Sequence, residues 1–588
     1  MSSVRRPFVI AVILAGTALA AAGCGWFRSG PSGASQGWSS TDQHAFYTTP
    51  QGSQLLRYDW YLALEQPQKT TPFNEDHLSR YGYLEYASNP DGLPLGFVRD
   101  LDSQWLGLTC AACHTNQVRF SGKTWRIDGA GTDADTWTFL TDLQQALAET
   151  AADRNSDRFK RFASKVNART PISEDDLYKQ LKPFSDYFTR FVTYRPPTET
   201  WGRARIDAFG MIFNRATGID LNEWENNFES PNAPVSVPFL WDTHWHDVVQ
   251  WNGSAPNTFA FQRLSRNIGE VLGVFANTNI VNQKPPYLFF ETTARRANLL
   301  QIEHLLSTLR SPQWPSELGK IDTTLAEKGA GLYTDYCVTC HTITSPNKRL
   351  ERMRVSMTPL DVIGTDKTMA DNAIRRKAHS GILTGVKMPA IGRTSQPLDA
   401  ETTSVNLLVH VVIGAVLQPP DLAMARAQIE QDQRNLLARV TEQDSDTATG
   451  GAGRNILADI NEQALQFMEQ MNKQTDLRQY KGRPLDGIWA TAPYLHNGSV
   501  PNLNELLKPA KDRVTRFYVG TRELDPVNVG FVNSPAAGAF EFDTTKPGNS
   551  NAGHDCYLKG SKIDCNNPAA HAFTDEERKA LVEYMKTL

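Results

Sequence analysis

One five-residue pattern occurs twice in this chain, as CAACH at 110–114 and as CVTCH at 337–341. Each letter has a physical reason. Two thiols about one helical turn apart can add to the two vinyl groups of a haem. The histidine that follows reaches the iron from the proximal side. A lone CxxC could equally be a redox pair or half of a zinc site, but the added histidine and the second complete copy leave that alternative little room. Cys110, Cys113 and His114 are therefore assigned to one covalently bound c-type haem, and Cys337, Cys340 and His341 to a second. Both motifs oblige the chain to fold around a large, flat, rigid group.

The N-terminus reads as an export signal. Arg5 and Arg6 precede the apolar stretch FVIAVILAGTALAAAG, too short to span a bilayer comfortably and ending in small residues. AAGC resembles a bacterial lipoprotein signal over residues 1–23, with Cys24 as the lipidated first residue, although Ala21 stands where leucine is commoner. A twin-arginine route and plain cleavage without lipid are the alternatives. The first is disfavoured because c-type haem is attached to an unfolded exported chain. The expected location is periplasmic or cell-surface, tethered to a bacterial membrane. Of seven cysteines, Cys24 and the four motif thiols leave Cys556 and Cys565. In an oxidising compartment these most simply form a disulfide around a small loop, worth roughly 2–3 kcal/mol by loop entropy. Lys plus Arg is 60 against Asp plus Glu at 64, with no long basic run, so nucleic acid is not an expected partner.

At 588 residues the chain exceeds one typical domain. Residues 24–45 read as a Gly/Ser-rich tether, 46–312 as an N-terminal haem module and 313–588 as a C-terminal one. Helical spacing appears in ADTWTFLTDLQQALAETA and at Leu299, Ile302, Leu306 and Leu309, with Pro312 as the stop. SGKTWRIDGAGTD reads as a turn-rich loop. In the second half Gly329, Tyr333 and Cys337 fall four apart, on one helical face. The partner expected to cross there is the last helix, with Thr574 and Glu577 as its capping box and Leu581, Met585 and Leu588 as its buried stripe. This resembles class I cytochrome c. The first motif departs from it, with Asp102 and Leu106 at the equivalent positions. The charged stretch from Met424 to Thr447 reads as an exposed insertion, and the two halves share little beyond CxxCH. The expected fold is mainly α with extensive loops, as two cytochrome-c-like haem modules packed together.

Three further stretches carry a family resemblance. ATAPYLHNGSVPNLNELL at 490–507 resembles the signature segment of the di-haem cytochrome c peroxidase superfamily. NAPVSVPFLWDTHWHDVVQWNGSAPN at 232–257 and PGNSNAGHD at 547–555 are similar to the rubber oxygenase family of di-haem c-type dioxygenases, which cleave C=C bonds of polyisoprene. The resemblance implies that the haem on His114 is the active one, open to dioxygen. It implies that Phe239 is the apolar residue over that pocket and Trp224 the aromatic between the haems. It also implies that the haem on His341 is closed by His554. An apolar pocket over the iron suits delivery of dioxygen to an alkene, whereas peroxide cleavage needs an acid–base group there.

Met388, in VKMPAIG, is the alternative sixth ligand, with His379, His410, His496 and His571 behind it. His496 reads as part of the turn bracing the second haem. His244 and His246 read as structural, although a distal histidine would undo the oxygenase reading. The expected function is cleavage of an isoprenoid or other apolar alkene by dioxygen. The alternatives are a hydrogen peroxide-reducing peroxidase served by a redox partner protein, and a membrane-anchored electron-transfer cytochrome. A lipid anchor fits bulk polymer poorly, so a smaller isoprenoid or membrane-derived alkene is the expected substrate class.

Overall fold

The computed structural model describes residues 32–33, 36–280, 290–344, 352–386, 397–417, 477–560, 567 and 570–588. The signal segment 1–23, Cys24, Met388, Cys565 and the charged stretch 424–447 lie outside them. Cys556 is disulfide-bonded.

Helices form most of the framework, but short strands are far more numerous than the sequence suggests. Among the described residues they make nine sheets of two or three strands each. Many strands are two residues long, too short to show a period-two pattern. The stretch expected as a turn-rich loop contains the strand Lys123–Asp128, paired antiparallel with Thr115–Phe120. Ser121 and Gly122, both at positive φ, make the turn.

The folded chain also starts earlier than expected. Gln36 is buried. Its side-chain amide donates to the carbonyls of Asp128 and Arg310 and accepts from the Asp128 N–H. Ser39 then caps the helix Ser40–Thr48. The end of the supposed tether is thus fixed by backbone hydrogen bonds that only the folded partner supplies.

Residues from both sides of Pro312 build one core together, from Phe46, Ile127 and Trp241 to Tyr333, Trp489 and Met585. A second core lies under the helices Thr136–Ala151, Asp157–Asn167 and Glu174–Thr193. A third surrounds Ala260–Gly273 and Ser404–Val416. The expected split into two modules at Pro312 is not how the cores divide. Late segments reach back: Ser236 N–H donates to His496 O, Arg119 N–H to Arg522 O, and Arg205 to Asn549.

The crossing at Gly329 is present. The helix Thr323–Tyr336 meets Asp575–Met585 so closely that a Cβ at 329 would stand 2.0 Å from the Ala580 carbonyl oxygen. Tyr333, on the same face, is buried against Tyr584 with ring centroids 5.1 Å apart. Thr574 and Glu577 form the capping box. The first motif has no such helix before it. Leu106 lies in the strand Trp105–Leu108, which pairs with Phe97–Asp100 and Leu56–Arg57, so the glycine–aromatic spacing has nothing to position.

Candidate haem sites

The second motif opens onto the larger cavity, about 1390 Å³ including its mouth. Cys337, Cys340 and His341 line one side, His554 the other, with Leu503, Leu581 and Met585 among the apolar walls. Tyr333 donates its hydroxyl to the His341 carbonyl at 2.8 Å. The His341 ring turns its Nδ1 to the Arg483 carbonyl at 2.7 Å, which leaves Nε2 facing the cavity. Burial pushes the His341 pKa down, so the ring is neutral and able to ligate.

His554 stands opposite, with ring centroids 6.0 Å apart and planes at 51°. An iron held between two imidazoles at about 2 Å from each nitrogen, with roughly 1 Å more to each ring centre, calls for roughly that separation. The group that CxxCH demands therefore fits here. Local geometry explains how the sequence achieves it. His554 has φ +54°, and Gly553, at φ +74°, lies so close to the Gly364 turn that a Cβ would meet Gly364 C at 2.3 Å. Arg513 ties this arch with bonds to the carbonyls of Asn551 and Gly553 at 2.6 and 2.8 Å. The Tyr557 hydroxyl lies 3.2 Å from His554 Nδ1, again leaving Nε2 free. Burial, with His341 and Arg513 nearby, pushes the His554 pKa down to about 3.

His496 is buried in the cavity wall, stacked on Tyr480 at 4.0 Å. The other candidates face elsewhere. His379 is exposed, His410 turns Nδ1 to the Asn406 carbonyl, and His571 lies against Tyr336 and Glu577.

The first motif forms a single helical turn, Cys110–Cys113, capped by Thr109. His114 donates through Nδ1 to the Pro238 carbonyl at 2.9 Å, and burial pushes its pKa down to about 4. The N–H groups of Gly129 and Thr132 hold the carbonyls of His114 and Cys113. Nε2 is again the nitrogen left for iron. Among the described residues no second ring faces His114 as His554 faces His341.

Two of the expected residues lie as follows. Phe239 follows Pro238, whose carbonyl holds Nδ1 of His114. Its ring stacks on Trp241 at 4.4 Å, sits beneath the Arg483 guanidinium and lines the larger cavity. Trp224 is buried in the second core. It starts the one-turn helix Trp224–Asn227, stacks on Phe228 at 5.1 Å and packs on Tyr187, Tyr194 and Arg190 in the second core. Trp241 Nε1 in turn donates to the Asp486 carbonyl at 2.6 Å.

Beside the first motif lies a buried polar group. Glu303 binds His244 Nδ1 at 2.7 Å and Asn267 at 3.0 Å, and is paired with Arg266. Burial alone would raise the Glu303 pKa, but Arg266 and His244 hold it well below the usual carboxylate range. His246 is buried with no hydrogen bond at either ring nitrogen. Arg266 also borders a second cavity of about 600 Å³, together with Glu270, Gln250 and an apolar wall that includes Phe213, Leu408 and Val409. Gln250 donates to Glu270 at 3.2 Å, and burial raises the Glu270 pKa. The charges of Glu270 and Arg266 both act on Cys110, which places this cavity near the first motif.

A repeat missed in the sequence borders the larger cavity twice. WNGSAPN at 251–257 and HNGSVPN at 496–502 share five of seven residues. In each, the asparagine side chain accepts from the serine N–H at 3.3 Å and the glycine has φ near +70° (+71° and +69°). Trp251 and His496 both line the larger cavity.

Residues 479–518 match a family model described as RoxA-like, cytochrome c-like. That segment contains Arg483 and His496, and it implies covalently bound c-type haem. The chain is 32% identical to the uncharacterized protein y4iJ of Sinorhizobium fredii, strain NBRC 101917 / NGR234, over 94% of this chain and 92% of that protein. A second protein of the same strain, y4iM, also uncharacterized, is 39% identical over 18% of this chain and 27% of its own length.

Proposed function

The chain belongs to one family with y4iJ of Sinorhizobium fredii and carries a cytochrome c-like segment, and from that premise we propose a di-haem c-type oxidoreductase with two unequal haem sites. The observation that carries the proposal is the asymmetry of the ligands. His341 faces a second imidazole, whereas His114 faces none among the described residues. A c-type haem, when bound, supplies one-electron redox chemistry and, where its iron keeps an open position, binding of a small oxidant. In this reading His341 and His554 hold a closed electron-transfer site, and His114 holds the reactive one.

The finer reading is a dioxygenase that cleaves the C=C bond of an isoprenoid or other apolar alkene. Support comes from the resemblance of 232–257 and 547–555 to rubber oxygenases and from the RoxA-like segment. The apolar cavity by Phe213, Leu408 and Val409, within electrostatic reach of Cys110, suits a substrate that offers no hydrogen bonds. One observation favours peroxide reduction instead: Glu270, a buried carboxyl with a raised pKa, borders the same cavity and can hold a proton there. Export, a lipid anchor at Cys24 and a location on the periplasmic or cell-surface side complete the proposal.

Carbon monoxide binding to the fully reduced protein tests it. One molecule per two haems is expected. None bound would reduce the protein to an electron-transfer cytochrome. Given one, turnover of soluble or lipid alkenes under air, set against hydrogen peroxide with a reduced donor, separates the two enzyme readings.

A further inference from the structure

We infer that Arg483 is a positioning residue shared by both haem sites, its carbonyl orienting His341 and its guanidinium governing the segment that orients His114. The inference rests on both motifs carrying haem.

Arg483 follows the strand Gln479–Gly482, which lies directly on the second motif: a Cβ at Gly482 would stand 2.6 Å from the Cys340 carbonyl oxygen. The Arg483 carbonyl accepts from His341 Nδ1 at 2.7 Å. Its side chain runs the other way and is fully buried. It donates to the Phe239 carbonyl at 3.0 Å, with the Trp241 carbonyl at 3.5 Å and Thr243 Oγ1 at 3.4 Å, and its carbon lies 3.2 Å from the Phe239 ring centroid. One peptide upstream, the Pro238 carbonyl accepts from His114 Nδ1 at 2.9 Å.

From one ligand to the other the path is therefore short. It runs from His114 to Pro238, along one peptide to Phe239, across to the Arg483 side chain, and through its backbone to His341. Arginine stays cationic at neutral pH, and the charges of Asp242 and Asp486 act on the buried guanidinium.

The carbonyl bonded to a ligating histidine sets ring orientation and ligand basicity, and both tune the iron's potential. A fixed positive charge near a haem favours the reduced form, which carries one positive charge fewer. Arg483 thus acts on the first site chiefly by charge and on the second chiefly by its carbonyl. An arginine is needed because a planar fork can reach several carbonyls while lying flat on a ring.

The test is spectroelectrochemical titration of the di-haem protein, with haem counted as the pyridine haemochrome. Arg483→Met is expected to lower the first-haem potential and to shift the second. Arg483→Lys should restore most of the first shift, because the charge returns, but not the second, because the fork does not. Should Arg483→Met fail to fold, Phe239→Leu carries the test. It removes the ring under the guanidinium, keeps every carbonyl, and should still move both potentials, by less. A haem count of one in the unaltered protein would remove the proposed function and the role of Arg483 together. Two haems with only the second potential displaced would overturn the Arg483 role alone.

Discussion

Replacing Gly329 by alanine adds a single methyl group where the helix Thr323–Tyr336 crosses Asp575–Met585. A Cβ there would stand 2.0 Å from the Ala580 carbonyl oxygen, 2.6 Å from its carbon and 2.8 Å from Tyr584 Cβ. Real Cβ atoms essentially never come within 3.0 Å, so relief needs at least 1.0 Å (3.0 minus 2.0) of separation. The obstacle is backbone and cannot swing aside. On an exposed helix the same change would gain about 1 kcal/mol of propensity. Here overpacking costs about 1–3 kcal/mol, and a gap of 0.5–1 Å forfeits roughly a quarter to a half of each contact it opens. Set against that gain, the expected net effect is a destabilisation of up to about 2 kcal/mol. The shift also reaches the site. Tyr333, one turn on, holds the His341 carbonyl at 2.8 Å, and about 1 Å more breaks that bond. Urea denaturation followed by the Soret band should show a lower midpoint with an unchanged slope, and the low-spin signal of the second haem should broaden. A midpoint at or above the parent's would refute the reasoning, because helix propensity alone would then have decided the outcome.

His554→Ala should raise carbon monoxide binding of the reduced protein from one molecule per chain to two, read from the difference spectrum. Glu303→Gln removes the carboxylate paired with buried Arg266 and should cost about 3–5 kcal/mol in denaturant. The folded pKa of Glu303 is depressed, so its stabilisation is present above the unfolded value of about 4.3 and is lost as pH falls below it. Acid unfolding of the variant should therefore be shallower than the parent's below about pH 4. Val409→Trp fills the smaller cavity and should abolish alkene turnover while leaving the optical spectrum of both haems unchanged.

The parts of the molecule legible in the sequence are those written in side-chain identity at short range. Cys337, Cys340 and His341, the spacing from Gly329 to Tyr333, and the Thr574–Glu577 cap each announce themselves within a few residues. The parts that were not legible depend on backbone. The acceptors for His114 and His341 are the carbonyls of Pro238 and Arg483, and any residue type has a carbonyl. Pro238 shows the consequence: the segment around it drew notice for Phe239, while its own carbonyl is what holds His114. Trp224 was singled out by resemblance alone, and its stack on Phe228, four residues on, was not read from the sequence. The NGS repeat was open to inspection throughout. It was missed because the segments around it differ while the Asn–Ser bond inside it does not.

The order in which the cavity's walls occur along the chain has a temporal meaning. Cys337, Cys340 and His341 precede His554, Leu581 and Met585 by more than two hundred residues. A chain delivered from its N-terminus exposes both thiols and the proximal histidine long before the opposite imidazole or the crossing helix exists. Haem can be attached while the trough is still open, and the segments that follow then close over it. The sequence carries its own schedule: load first, seal afterwards.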